Sequence, residues 1–215
     1  MNDSYKTFLH FELRTQTVAI GERVKGGTFR PCIETIPTST LKGSFRDHFG
    51  LEKVAAIGFF RKETYERAVF TYSPFDALLK TSKLPISLEY LKPKKGSPAA
   101  IADIYVVKDG VAEMFIKSMP AEISIGALKS KDFGRCKIEY VDEVKSDLKI
   151  GYLKGRLLEE ESSTFGIVKI IKACYGYLFY PTSRVSGVYK RALFEGSIVK
   201  GPEILIDGAY EYDYD

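Results

Sequence analysis

Lys42 and Arg46 stand four residues apart just behind the hydroxyl run Thr38-Ser39-Thr40. On a helix that spacing places both cations on one face, beside the unpaired amides and positive dipole end of the first turn. Open amides, hydroxyls and adjacent cations are together the chemistry of a phosphate site. The stretch Ile36–Gly50 spells out the helix that would carry them. Pro37 biases Ile36 toward extended backbone, so the helix is expected to begin after it. Thr38, Ser39 and Thr40 are candidate N-caps. Leu41, Phe45 and Phe49 recur as one apolar face, and Gly50 suits a left-handed stop. Periodicity alone is equally met by an amphipathic helix with a solvated basic face.

A second stretch has related chemistry. Gly126 and Gly134 bracket Lys129, Ser130, Lys131 and Phe133, and Arg135 follows directly. Glycine lets a backbone approach phosphates closely, and the cations neutralise them. Phe133 suits either stacking on a base or anchoring the loop in the core. The stretch lacks Gly-Lys-Ser/Thr and leads into a strand, so it is neither a Walker loop nor a dinucleotide fingerprint. Residues 21–35 add a third cationic segment. Arg23, Lys25 and Arg30 flank the turn signal Gly26-Gly27, a composition shared by backbone-tracking loops and ordinary solvated ones.

Among titratable groups, His48 is the natural general acid/base candidate because its unperturbed pKa lies near working pH. Its place near a helix C-terminus equally suits the dipole and the last carbonyls. The sequence sets no second histidine or paired tyrosine beside it, so no residue is assigned to catalysis. Cys32, Cys136 and Cys174 stand far apart without a C-x-x-C pair. That spacing disfavours a disulfide framework and a structural zinc site, and neither a metal nor a cofactor is expected. Serine-triad and nucleotide-loop signatures are missing as well, which disfavours an independent metabolic enzyme.

The elements that must position these residues are mostly strands. Residues 7–20 alternate, with Leu9, Phe11 and Leu13 facing inward and His10, Glu12 and Arg14 facing out or lying at an edge. Strands are expected at 54–60 and 66–72, a short helix at 74–81, and a strand again from Leu84. The stretch from Lys92 to Pro98 reads as an exposed basic loop. Asp109-Gly110 predicts a hairpin joining 101–107 to 111–117. A strand over 136–141 follows the second glycine stretch, and 150–160, 165–180 and 189–199 are strand-rich.

The chain has 215 residues, 45% hydrophobic and 28% charged, which fits one large or two small globular domains. Its net charge of +4 is too mild to prove a polyanionic partner. No apolar run approaches the roughly 20 residues of a membrane span. The N-terminus Met-Asn-Asp-Ser-Tyr-Lys lacks a signal-peptide core. Cytoplasmic location without a membrane partner is therefore expected.

Taken in order, the motifs resemble the RAMP (repeat-associated mysterious protein) superfamily of CRISPR-associated proteins. Ile36, Pro37, Ser39, Leu41, Lys42, Gly43 and Arg46 stand on that family's Ile-Pro-Gly-Ser-Ser-Leu-Lys-Gly-x-x-Arg segment. Gly126 and Gly134 match the outer glycines of its glycine-rich loop, where Leu128 replaces the middle one. Phe194-Glu195-Gly196-Ser197 resembles the C-terminal strand of subunits that cap the guide RNA. The resemblance implies an α+β fold: an RRM-like (ferredoxin-like) core with a glycine-rich loop over 1–145, and a strand-rich C-terminal lobe over 146–215 packed on it. It also implies an RNA-binding structural subunit of a Class 1 effector complex that grips the crRNA 5′ handle, with crRNA and the backbone and large subunits as partners. The RNA would meet Arg23, Lys25, Arg30, Ser39, Lys42, Gly43, Arg46, Gly126, Lys129, Lys131, Phe133, Gly134 and Arg135. With no RNP-type aromatic pair on a strand, loops are expected to carry the RNA. Two alternatives are a backbone subunit polymerising along the spacer and a metal-independent endoribonuclease using His48. The first loop offers Glu22 and Glu34 where a cutting backbone subunit would carry an aspartate.

Overall fold

The computed structural model describes residues 5–21, 27–51, 53–182 and 186–210. Arg23 and Lys25, with Glu22 and Gly26, lie outside the described residues, as does most of the acidic tyrosine-rich end. The chain opens with β1 (Tyr5–Thr15), then the two-residue strands β2 (Phe29–Arg30) and β3 (Thr35–Ile36), helix α1 (Thr38–Phe49) and β4 (Ala56–Phe60). A hairpin of β5 (Tyr65–Tyr72) and β8 (Ile86–Pro93) carries β6 (Phe75–Asp76) and β7 (Thr81–Ser82) at its tip. Next come β9 (Ala100–Val107), α2 (Gly110–Ile116), β10 (Ala121–Ser124) and the long β11 (Arg135–Leu153). The C-terminal part holds β12 (Leu157–Leu158), β13 (Lys169–Lys172), β14 (Tyr175–Pro181), β15 (Gly187–Leu193), β16 (Ile198–Pro202) and β17 (Ile206–Asp207). Among the described residues strand far outweighs helix, so the architecture is mostly β, with two α-helices.

The chain order β1-α1-β4-β9-α2-β11 folds into neighbouring strands β11-β1-β9-β4, each adjacent pair antiparallel. Both helices pack on one face. Leu9, Phe11 and Leu13 of β1 meet Leu41 and Phe45 of α1 and Phe115 of α2 in one buried cluster, where Phe45 and Phe115 lie 4.8 Å apart. Each such side chain contributes about 1.5–3 kcal/mol by leaving water. The second buried cluster joins the other face, through Phe8 and Ile57, to Leu153, Phe165, Ile167 and Leu205 from the C-terminal part.

Strand β11 ties these halves together and spans residue 145. Its first part pairs with β1 and β10, its second with β16 and β17. The sequence reading stopped it at Val141 because Asp142, Glu143, Lys145, Asp147 and Lys149 carry no apolar alternation. Pairing with β1 as far as Asp147 and with β16 from Leu148 keeps this charged, largely exposed stretch extended.

Three local expectations are corrected. Helix α2 (Gly110–Ile116) stands where the second strand of a hairpin is expected over 111–117. The Asp109 carboxylate accepts from the Ala112 amide at 2.8 Å, so Asp-Gly serves as an N-cap, and Ala112 and Phe115 are buried at helical spacing. Residues 74–81 are not helical. The Asp76 carboxylate accepts from the Leu78 and Leu79 amides at 3.0 and 3.2 Å, a local turn that competes with a helix. At α1 the N-cap is Pro37, without a side-chain cap. Thr38 begins the helix, and its hydroxyl instead accepts from the Leu158 amide at 3.4 Å.

The sheet face away from the helices carries an ion network at one end. His10 bridges Asp103 (2.8 Å) and Asp142 (3.0 Å) across β9, β1 and β11. Arg61 grips Asp103 and Glu12, and the Tyr105 ring stacks on His10 at 5.1 Å. The hydrogen bond to Asp103, aided by Asp142, raises the His10 pKa against the opposing effect of burial. The stability this adds is complete below the unfolded value of about 6.5 and is lost as pH rises through the higher folded value. Thermal melts are therefore expected to show wild type losing more stability than His10→Gln between neutral and alkaline pH. Parallel pH profiles would show the bridge adds nothing.

Candidate nucleic-acid interface

A cleft of about 950 Å³ lies between α1, the glycine stretch and the β14–β15 hairpin. Helix α1 contributes Ser39, Gly43 and Arg46, and the glycine stretch contributes Gly126 and Lys129. The two motifs, about eighty residues apart in sequence, thus form opposite parts of one site. The reason lies in how the loop is stitched. The Ala127 amide donates to the Ala19 carbonyl (2.8 Å) and the Gly134 amide to the Thr17 carbonyl (2.6 Å). Gly126, Leu128, Asp132 and Gly134 all have positive φ. A Cβ on Gly126 would run into the Ala19 carbonyl, and one on Gly134 into the Ile125 carbonyl. These glycines permit close approach of the loop to its own chain. Leu128 takes the left-handed conformation itself, with φ of 56°.

The remaining expected site residues lie elsewhere. Lys42 forms an ion pair with Glu161 and sits 5.3 Å from the Tyr180 ring centroid. Phe133 packs against Phe70 and Tyr90 at 5.6 and 5.1 Å, so it anchors the loop on the β5–β8 hairpin. Lys131 lies over Tyr72, exposed Arg135 is 3.6 Å from Asp132, and Arg30 is exposed on β2. Glu34 is paired with Arg67 at 2.8 Å. His48 is exposed and its Nδ1 donates to the Ser44 carbonyl at 2.9 Å. That bond fits the helix-end role and brings no acid/base partner to the ring.

The cleft also holds residues the sequence reading missed. Tyr177, Phe179 and Tyr189 line it from β14 and β15, and Arg156 and Phe194 from the flanking turns. Arg156 Nε donates to Glu195 at 2.7 Å, and its guanidinium lies 4.3 Å from the Phe194 ring centroid. The alternation Tyr175-Gly176-Tyr177-Leu178-Phe179 was the available signal, since period two sets three rings on one strand face. Ser44 is among the lining residues too, and its hydroxyl is buried without a hydrogen-bond partner among the described residues. Cations, hydroxyls and flat rings around one groove suit a chain of phosphates bearing planar bases. The acid-rich sheet face around Asp103 and Asp142 suits none. Among the described residues no group of three or more His, Cys, Asp or Glu is placed to hold a metal ion, and no helix is long and apolar enough to cross a membrane.

No protein-family model and no curated protein matches the chain. Its fold is similar to a chain in the cryo-EM structure of the Type III-B Cmr-beta bound to cognate target RNA and AMPPnP, with TM-score 0.56 and 12% identity over 89% of this chain and 86% of that one. A chain of Type III-B Cmr-beta bound to cognate target RNA gives 0.54 and 11% over the same shares. A chain of a CRISPR RNA-guided surveillance complex gives 0.50 and 13% over 94% of each. At such identities the likeness is one of fold.

Proposed function

We propose that this chain is a non-catalytic RNA-binding subunit of a CRISPR ribonucleoprotein effector complex, holding the repeat-derived 5′ handle of crRNA beside backbone and large subunits. The observation that carries the reading is the cleft in which α1 and the glycine stretch meet, with Arg46 and Lys129 on it. The fold's likeness to chains of RNA-guided complexes supports the same class. The order β11-β1-β9-β4 fits an RRM-like (ferredoxin-like) core over 1–145, with 146–215 as an extension packed against it. Phosphates would lie along the cationic side of the cleft, held by charge and by the polar face of α1.

Charge reversal at the cleft tests this. Arg46→Glu with Lys129→Glu is expected to weaken single-stranded RNA binding and to flatten its salt dependence by about 0.7 in log–log slope per lost phosphate contact. Affinity and slope equal to wild type would reject the placement. Handle-dependent binding of one copy per RNA is expected; growth of a filament along any long RNA would favour a backbone subunit. Repeat RNA left uncut by wild type, or cut equally by His48→Ala, removes His48 from catalysis.

A further inference from the structure

We infer that Tyr177 and Tyr189 form a stacking site for unpaired nucleobases, so that the cleft grips RNA by its bases as well as its phosphates; this rests on the RNA-binding reading above. Tyr177 is 67% exposed and Tyr189 54%, yet both line a cleft. They stand on adjacent strands, where Tyr177 faces Arg191 and Phe179 faces Tyr189 in register. Phe179 meets the Tyr189 ring edge-on, with centroids 5.7 Å apart and planes at 69°. Gly187 has no side chain where a Cβ would strike the Phe179 ring, so Phe179 can lie across the hairpin and brace Tyr189. The three rings share one face of the paired strands.

What these rings receive follows from the rest of the groove. A purely aliphatic ligand would find Arg46 and Lys129 facing it, cations that gain nothing from apolar contact. A nucleotide suits the rings and the cations together, with the Asp47 carboxylate beside Arg46 at 3.6 Å. Its base covers tyrosine faces and its phosphate meets the cations. Stacking tolerates any base because every base has a π-face, so the rings hold bases without selecting their sequence.

The test uses the full chain, an oligouridylate and an abasic ribose-phosphate strand of equal length, titrated across a salt series. Wild type is expected to bind the oligouridylate about tenfold or more tighter than the abasic strand. Tyr177→Ala with Tyr189→Ala is expected to erase that preference and leave the salt slope unchanged, because no phosphate contact is lost. Equal wild-type affinity for the two strands overturns the stacking site without any substitution. So does a double variant that keeps the preference, which would leave the rings to a protein contact. Absence of salt-dependent binding to either strand overturns the RNA reading itself, and so separates the two failures.

Discussion

Lys42→Ala is expected to destabilise the fold by about 3 kcal/mol, because it strands a carboxylate in a nearly dry place. Lys42 sits in α1 and Glu161 in the turn after β12, and their side chains are only 16% and 11% exposed. One Glu161 oxygen takes the Lys42 ammonium, and the other has no hydrogen-bond partner among the described residues. Removing the lysine leaves the whole desolvation penalty of the carboxylate uncompensated, and the contact over Tyr180 disappears as well. Glu161→Gln is expected to cost less, since the amide can still accept from Lys42. Replacing both, as Lys42→Met with Glu161→Leu, is expected to recover most of the loss, since apolar groups need no partner there. Denaturant titration of wild type and the three variants measures these differences. A loss below about 1 kcal/mol for Lys42→Ala would class the pair with ordinary solvated ion pairs. The folded double variant also separates two roles for Lys42. An unchanged RNA salt slope makes it a latch between α1 and the C-terminal part, whereas a shallower slope means it reaches a phosphate.

Some elements of the fold were legible in the sequence and this ion pair was not. Helix α1 was legible because its stop, apolar face and cation spacing all lie within fifteen residues, and β1 because alternation survives where one face is buried. The Lys42–Glu161 pair was not legible, because its partners lie 119 residues apart and nothing local announces it. The same distance hid the cleft's third wall: β14 and β15 come to α1 only because β11 crosses from one half of the molecule to the other. Helix α2 was misread for a different reason. Asp109-Gly110 satisfies both a hairpin turn and a capped helix start, and the buried pair Ala112 and Phe115 settles the matter only in three dimensions. Phe133 was legible as an aromatic with two possible uses, and the choice depended on a hairpin, β5–β8, inserted between β4 and β9.

Gly134→Ala is expected to be the costliest change in the glycine stretch, and it tests whether loop geometry underlies the site. Gly134 has φ of +76°, and an added methyl would overlap the Ile125 carbonyl oxygen. The loop has little room to yield. The Gly134 amide is bound to the Thr17 carbonyl, and its carbonyl accepts from the Ile125 amide at 2.9 Å. A left-handed alanine costs about 1–3 kcal/mol. Each hydrogen bond released to relieve the overlap forfeits about 0.5–1.5 kcal/mol more. A total near 3 kcal/mol is expected in denaturant titrations, with RNA binding weakened as Lys129 leaves its place on the cleft. Leu128→Gly is the control. Leu128 already occupies the left-handed region, so glycine removes about 1–2 kcal/mol of strain. The greater freedom of the unfolded chain offsets about 0.5–1 kcal/mol of that. A net effect within about 1 kcal/mol, with RNA affinity retained, is expected. If Gly134→Ala is as mild as Leu128→Gly, the loop is pliable, and the shape of the cleft does not depend on its backbone conformation.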